Sequence, residues 1–350
     1  MTAVDGPTDP TLSHLQAELV RFELRVRREI WRWQQAGQDP RDAFRGLYLS
    51  AEHVEQLLAR PFATSWGQIV VLEPSEEEAF ARAEAQALER ARAAAEAARQ
   101  QAASRLEALA GAFDLDRFDL DAFLVCLAPA LDLRYERFYA FLQDDVTRKR
   151  PTLNLVLDLL AGDAEPEGRL RLQLRFAGDA PLFRHRLLEW VAEAGGGQAP
   201  PLGRALAVDP SVVSWLLGRY VPHAELGGRA VLSSRPEDEA DVLLAGPVVR
   251  RLSPGDAIVV FTGADHAAQQ AAARLLAARA ARPLLTVDLG ALVDGGASPT
   301  RALQVALRDA RLTGALLCLN GWDACCPTRA EAGQGREGAA REVPPELLAA

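Results

Sequence analysis

Residues 128–160 read APALDLRYERFYAFLQDDVTRKRPTLNLVLDLL, and the fold of the middle of the chain follows from them. LRYERFYAFLQDD (133–145) is a helix that presents Leu133, Phe138, Phe141 and Leu142 on its packing side. TRKR is a basic turn, and a second, apolar helix starts around Pro151–Thr152 and runs to Leu160. Just upstream, LDAFLVCLAPALD (120–132) reads as a buried helix in which Cys126 is a small core filler. Downstream, LRLQLRF (170–176) and RHRLLEWV (184–191) read as two short extended segments around a turn at Gly178–Pro181. VDPSVVSWLLG (208–218) closes the region as a helix stopped by Gly218.

Three or four helices with a two-stranded ribbon is the winged-helix pattern, a variant of the helix-turn-helix. It is preceded by a long amphipathic helix, Thr11 to Gln35. Leu12, Leu15, Leu19, Phe22, Val26, Ile30 and Trp33 form one stripe there, and Arg21, Glu23, Arg25, Arg27 and Arg28 lie mostly outside it. Glu23 and Arg27 make a favourable i,i+4 pair. The stripe packs on its own domain or serves a partner; the sequence leaves both open. Gly37 and Pro40 close this helix, and Ser50 caps a shorter one from Ala51 to Ala59. Thirteen alanines then lie between Ala79 and Ala103, with Leu88 the one large aliphatic residue among them. Such a stretch has high helix propensity and little apolar surface to bury, so Ser75 to Ala110 is expected to be a solvated spacer helix, about 50 Å long if continuous.

The last third changes period. AIVVFTG (257–263), PLLTVDL (283–289) and GALLCLN (314–320) read as strands, with helices from Ala267 to Ala280 and from Thr300 to Leu312 between them. Strand–helix–strand–helix–strand predicts a parallel α/β sheet, and PPELLAA (344–350) looks like the opening of another helix, as if the module stopped midway. The resulting expectation is a mixed fold in four parts: a helical region over 1–62, an Ala-rich spacer over 63–111, a winged-helix-like domain over 112–220 and a truncated α/β module over 221–350.

Composition excludes several classes. The chain has 350 residues, 49% hydrophobic, with a formal net charge of -9, which argues against bulk nucleic-acid binding. No run approaches the roughly eighteen apolar residues of a membrane span, and the acidic N-terminus lacks a signal pattern. Four cysteines, two of them adjacent at Cys325–Cys326, make no disulfide framework, so a reducing cytoplasm is the expected location. Of the 39 basic residues only Lys149 is a lysine, so any lysine-dependent chemistry has one candidate position.

The run at 128–160, with RFAGDAPLFRHRLLEW (175–190) and PLGRALAVDPSVVSWLLG (201–218), resembles the winged-helix region of a group of large bacterial AAA-type ATPases whose relatives accompany extracellular contractile injection systems. The resemblance covers roughly Phe113 to Asp323. It implies that the winged helix precedes a divergent P-loop-NTPase-like ATPase module and that a catalytically complete module follows. It further implies ATP and Mg²⁺ as cofactors of the whole enzyme, a hexamer, and a protein partner or substrate.

A working module of that class carries GxxxxGK[ST] in its first strand-to-helix turn, where the second glycine admits phosphate, the lysine reaches it and the hydroxyl holds Mg²⁺. The matching residues here are Gly263 to Gln270. Gly263 keeps the first glycine, while Ala268, Gln269 and Gln270 replace the second glycine, the lysine and the hydroxyl. Asp265 adds negative charge in the turn. The third strand should end in acidic residues and instead ends at Asn320 and Gly321, with Asp323 beyond, in a turn-capping or a metal-site role. The residues therefore predict a weak or empty nucleotide site, no catalytic residue and no resident metal, with non-hydrolytic nucleotide binding as one alternative. His14, His53, His185, His223 and His266 show no metal-ligand spacing and read as surface or capping residues. Cys318 reads as core. Arg148, Lys149 and Arg150 form the one dense basic cluster, either solvated charges balancing Asp144 and Asp145 or the contact of a DNA-binding regulator.

Overall fold

The computed structural model describes residues 9–35, 55, 58, 70, 72–101, 104–161, 165–191, 199–234 and 258–325. The chain divides into two compact units, Met1–Gly218 and Arg219–Ala350.

The first unit is helical. Its elements are α1 (Pro10–Gln35), α2 (Pro74–Arg99), α3 (Arg105–Phe113), α4 (Arg117–Leu131), α5 (Arg134–Leu142), α6 (Leu153–Leu160), α7 (Pro166–Leu172), α8 (Pro181–Arg184) and α9 (Pro210–Leu216). A small ribbon, β1 (Leu188–Trp190) and β2 (Leu206–Val208), is antiparallel with Leu188 opposite Val208. The centre is α4, in which every residue from Ala122 to Ala128 is buried, Cys126 included. Two carboxylates start it: Asp116 and Asp119 form a reciprocal capping box. The Tyr139 hydroxyl of α5 donates to the Val125 carbonyl at 2.7 Å and fixes α5 on this core.

α1 buries Leu15, Phe22, Val26 and Trp33, with Phe22 stacked on Tyr135 at a centroid distance of 6.0 Å. Its stripe thus packs within its own unit. The Glu23–Arg27 pair forms at 2.6 Å. Arg21, expected outside the stripe, is instead fully buried between Glu18 and Asp121, because α2 and α4 close over it. The solvated-spacer expectation is corrected as well. The helix breaks after Arg99 and resumes at Arg105, and α2 lies along α1 with Ala87, Ala91, Ala95 and Ala98 buried. A stripe of alanines buries little area per residue, but it lets two helix backbones approach closely. Arginines of α1 then bridge to glutamates of α2, Arg25 to Glu84 at 2.9 Å and Arg32 to Glu77 at 3.0 Å.

Two further readings change. LRLQLRF is not a strand: it completes α7 and a 3-10 turn, Gln173–Phe176, started by Pro166 at the first helical turn. The ribbon is instead RHRLLEWV paired with RALAV, and Thr152 adds an isolated bridge to Ala205. Thr152 also caps α6 by accepting the Leu155 N–H at 3.3 Å, where the helix start was expected. Gly37, Pro40, the Ser50 helix apart from Glu55 and Leu58, His53 and the segment from Cys326 onward lie outside the described residues.

The second unit holds β3 (Ala230–Ser233), α10 (His266–Arg279), β4 (Leu284–Asp288), α11 (Leu289–Asp294), α12 (Pro299–Thr313) and β5 (Leu316–Asn320). β4 and β5 are parallel neighbours joined by α11 and α12, as the strand–helix alternation requires. Among the described residues the three-stranded sheet is mixed and not all-parallel. β3 pairs antiparallel with β4, and the sheet order is β3-β4-β5. The described part of AIVVFTG is not a strand, and Ile258 is 94% exposed. Its β-branched run has strand propensity but gains a ladder only if an edge accepts it. Val287, Leu289, Val305 and Ala306 centre the core. Buried Asp309 accepts the Tyr220 hydroxyl at 3.0 Å and pairs with Arg308 at 2.8 Å.

Candidate functional site

The turn into α10 carries the residues matched to a phosphate loop. Gly263 has φ +128°, a conformation that side chains rarely adopt, with open space where a Cβ would stand. Asp265 caps α10 and accepts the Ala268 N–H at 2.9 Å. The His266 N–H goes to the Ala264 carbonyl and the Gln269 N–H to the Asp265 carbonyl, both at 3.2 Å. Most donors that a helix start would offer an anion are therefore taken.

The two glutamines turn inward. Gln269 donates through Nε2 to the Gly263 carbonyl at 2.9 Å and closes the loop on itself. Gln270 donates through Nε2 to Asn320 Oδ1 at 2.7 Å, so the ends of the two matched motifs are brought together as a neutral amide pair. Cys318 lies alongside, its Sγ 3.8 Å from Asn320 Oδ1, half-buried rather than core, with its thiol pushed up by burial.

Gly321 has a steric reason to lack a side chain. At φ +72°, its Cβ would stand 2.8 Å from the backbone N and Cα of Gly290. An acidic residue has no room where β5 passes the start of α11. Asp323 lies in the following 3-10 turn, Trp322–Cys325. Triphosphate and Mg²⁺ need a cation, a hydroxyl and a carboxylate, and Gln269, Gln270 and Asn320 supply none of these. The donor set does not fit ATP.

α6 and α7 are consecutive helices ahead of the ribbon, and in a helix-turn-helix the second is the one that would enter a DNA groove. Its arginines are engaged. Arg169, itself buried, donates to Asp158 Oδ1 at 2.6 Å and to Asn154 Oδ1 at 3.0 Å. Arg171 pairs with Glu167 at 2.6 Å. Arg175 reaches Asp116 at 2.7 Å and Asp119 at 2.8 Å, and lies over the Phe118 ring. α7 and its 3-10 extension leave Glu167, Leu170, Arg171 and Leu174 exposed. At the ribbon, Trp190 stacks on Phe183 at 5.0 Å and takes the Arg204 guanidinium on its ring at 4.4 Å.

Buried charge concentrates where α1, α2 and α4 meet. Glu18 accepts from Arg117 and Arg21, and Asp121 accepts from Arg21 and Arg25. Burial alone would raise the Glu18 carboxyl, but the hydrogen bonds from Arg117 and Arg21 outweigh it and hold it at about 2. His14 is not a surface residue: it is buried, bonded through Nδ1 to Ser104 Oγ at 2.6 Å, with burial lowering its pKa. His223 is also buried, its Nδ1 accepting the Glu225 N–H at 3.1 Å. A cavity of about 1150 Å³ opens over His14, Glu18 and Arg117, and every arginine lining it is already paired with a carboxylate.

Fold and surface together define a helix-turn-helix protein with a short β ribbon, followed by a small mixed α/β unit. A family model described as "Winged helix domain, variant" matches residues 7–229, and the chain belongs to that family. No curated protein matches it, and neither does any solved structure. No helix of the described residues is long and apolar enough to cross a membrane.

Proposed function

We propose that the chain is a non-catalytic, protein-docking part of a bacterial AAA-type ATPase. The winged-helix unit engages a protein partner or substrate, and the α/β unit stands in the ring as a module that does not hydrolyse ATP. The observation that carries this reading is the engagement of Arg169, Arg171 and Arg175 by carboxylates on the helix that would otherwise read DNA. Arg169 is buried on its partners and Arg175 is held by two carboxylates, while Arg171 shares an exposed pair with Glu167. The resemblance of residues 128–160 supports the ATPase parentage, and with it a hexamer and a contractile-injection setting. The amide pair Gln270–Asn320 supports the absence of hydrolysis.

A titration of duplex DNA at two salt concentrations, beside a thermal shift with Mg-ATP, tests the reading. No DNA binding near physiological salt and no shift with Mg-ATP are expected. Tight, salt-sensitive DNA binding would replace it with a DNA-binding regulator. A shift with Mg-ATP would restore a nucleotide-binding role to the α/β unit.

A further inference from the structure

We propose that the outward face of α5 and the turn after it form the docking surface for an acidic protein segment bearing aliphatic side chains. This rests on the docking reading above and names the partner's chemistry. The turn is built to hold one shape. Gln143 reaches the carbonyls of Arg148 and Arg150 through Nε2, both at 3.0 Å, and accepts the Thr152 N–H on Oε1 at 3.0 Å. Asp145 accepts the Thr147 N–H at 2.8 Å and its hydroxyl at 2.6 Å. The Arg148 N–H returns to the Asp145 carbonyl at 3.0 Å. A turn braced this way displays its side chains without the ordering cost that a flexible loop adds on binding.

It displays three consecutive cations, Arg148, Lys149 and Arg150, in a chain of net charge -9. Lys149 Nζ lies 3.8 Å from Glu136 Oε2, which sets the turn beside the outward stripe of α5. Leu133, Glu136 and Arg137 share that stripe at i, i+3 and i+4, while Tyr135, Tyr139 and Leu142 face the core. Leu133, expected on the packing side, precedes the first turn of α5 and is instead 70% exposed, and Val146 is 62% exposed. Two large aliphatic side chains held in water beside Arg137 and the cationic turn match carboxylates and methyl groups presented together. A phosphodiester backbone offers Leu133 and Val146 nothing, whereas the aliphatic side chains of a peptide cover them. Charge complementarity and the apolar pair together favour protein over nucleic acid.

The test uses the full chain and fluorescence anisotropy with three probes: a short amphipathic peptide of Glu and Leu, the same peptide with Gln for Glu, and duplex DNA. The variants are Arg137→Glu with Arg150→Glu, and Leu133→Ser with Val146→Ser. Arg137 and Arg150 make no side-chain ion pair among the described residues, so their reversal breaks no internal bridge. The Glu/Leu peptide is expected to bind, with affinity falling at least about tenfold for the Gln peptide and for each double variant. No saturable binding of the Glu/Leu peptide overturns the proposal. So does binding that the variants leave unchanged, which puts docking elsewhere and spares the broader reading. Duplex DNA binding more tightly than the peptide, and lost in the charge reversal, overturns both.

Discussion

Gln270 Nε2 and Asn320 Oδ1 lie 2.7 Å apart and join the start of α10 to the end of β5 by a neutral hydrogen bond. Under the proposed function, these are the places where a hydrolysing module would carry the groups that share a magnesium ion. Here one hydrogen bond joins the two amides, and neither carries charge. Asn320→Ala is expected to leave the Gln270 amide without its acceptor and to cost about 1 kcal/mol of stability. Urea denaturation read by circular dichroism measures it. Calorimetry with Mg-ATP should register no binding heat in either form.

Gly321 cannot be given a side chain cheaply. Its φ is positive, and the Gly290 backbone lies 2.8 Å from where a Cβ would stand, so Gly321→Ala is a backbone clash with no flexible side-chain end to yield. A loss of about 2–4 kcal/mol is expected, confined to the second unit. Gly321→Asp, which would give β5 an acidic end, should destabilise at least as much and leave Mg²⁺ unbound. An Asp variant that folds as well as the parent and binds Mg²⁺ would refute the steric account.

Much of this was legible in the sequence, and the exceptions share a cause. The α1 stripe, the Thr152 cap, β4, β5 and the helices between them follow from periodicity and capping signals, which are local. LRLQLRF alternates polar and apolar residues and so imitates a strand, yet Pro166 opens a helix there and Phe176 alone of its apolar residues is fully buried. β2 and β3 have three and four residues, too few to show a period. The α1–α2 pairing was hidden because alanine looks like a residue with nothing to bury. At the turn into α10, the residue types that meet Asn320 could be read directly. The Gly290–Gly321 approach could not, since those residues are distant in sequence and meet only in the fold.

Arg21 is the keystone of the charge cluster joining α1 to α4. It is 2% exposed, contacts Glu18 Oε2 at 2.7 Å and is bonded to Asp121. Arg21→Met would leave two buried carboxylates with only Arg117 and Arg25 to share, and a loss of about 3–5 kcal/mol is expected. Glu18 gives the cluster a pH signature. Its carboxyl is held at about 2 against 4.5 when unfolded, so its contribution is complete above about pH 4.5 and drains away as pH falls toward 2. Arg21→Met should flatten that acid limb. A limb of unchanged slope would mean the stabilisation lies elsewhere.

Glu29 titrates with the opposite sign. It is buried on α1 beside Arg32, whose Nη1 lies 2.9 Å away; burial pushes its carboxyl up to about 7, the Asp158 charge adds to this, and Arg32 opposes it. An acid whose folded pKa is raised keeps its proton in the folded state while the unfolded chain has lost its own. Stability therefore falls as pH rises from about 4.5 to about 7 and levels off above that. Glu29→Gln keeps an acceptor for Arg32 and has no proton to lose. The variant should match the parent near pH 4.5 and exceed it by roughly 3 kcal/mol at pH 8, since each tenfold change in proton affinity is worth about 1.4 kcal/mol. Denaturation midpoints at the two pH values decide it. A variant less stable than the parent at pH 8 would show that the charged Glu29–Arg32 pair, and not burial, governs this position.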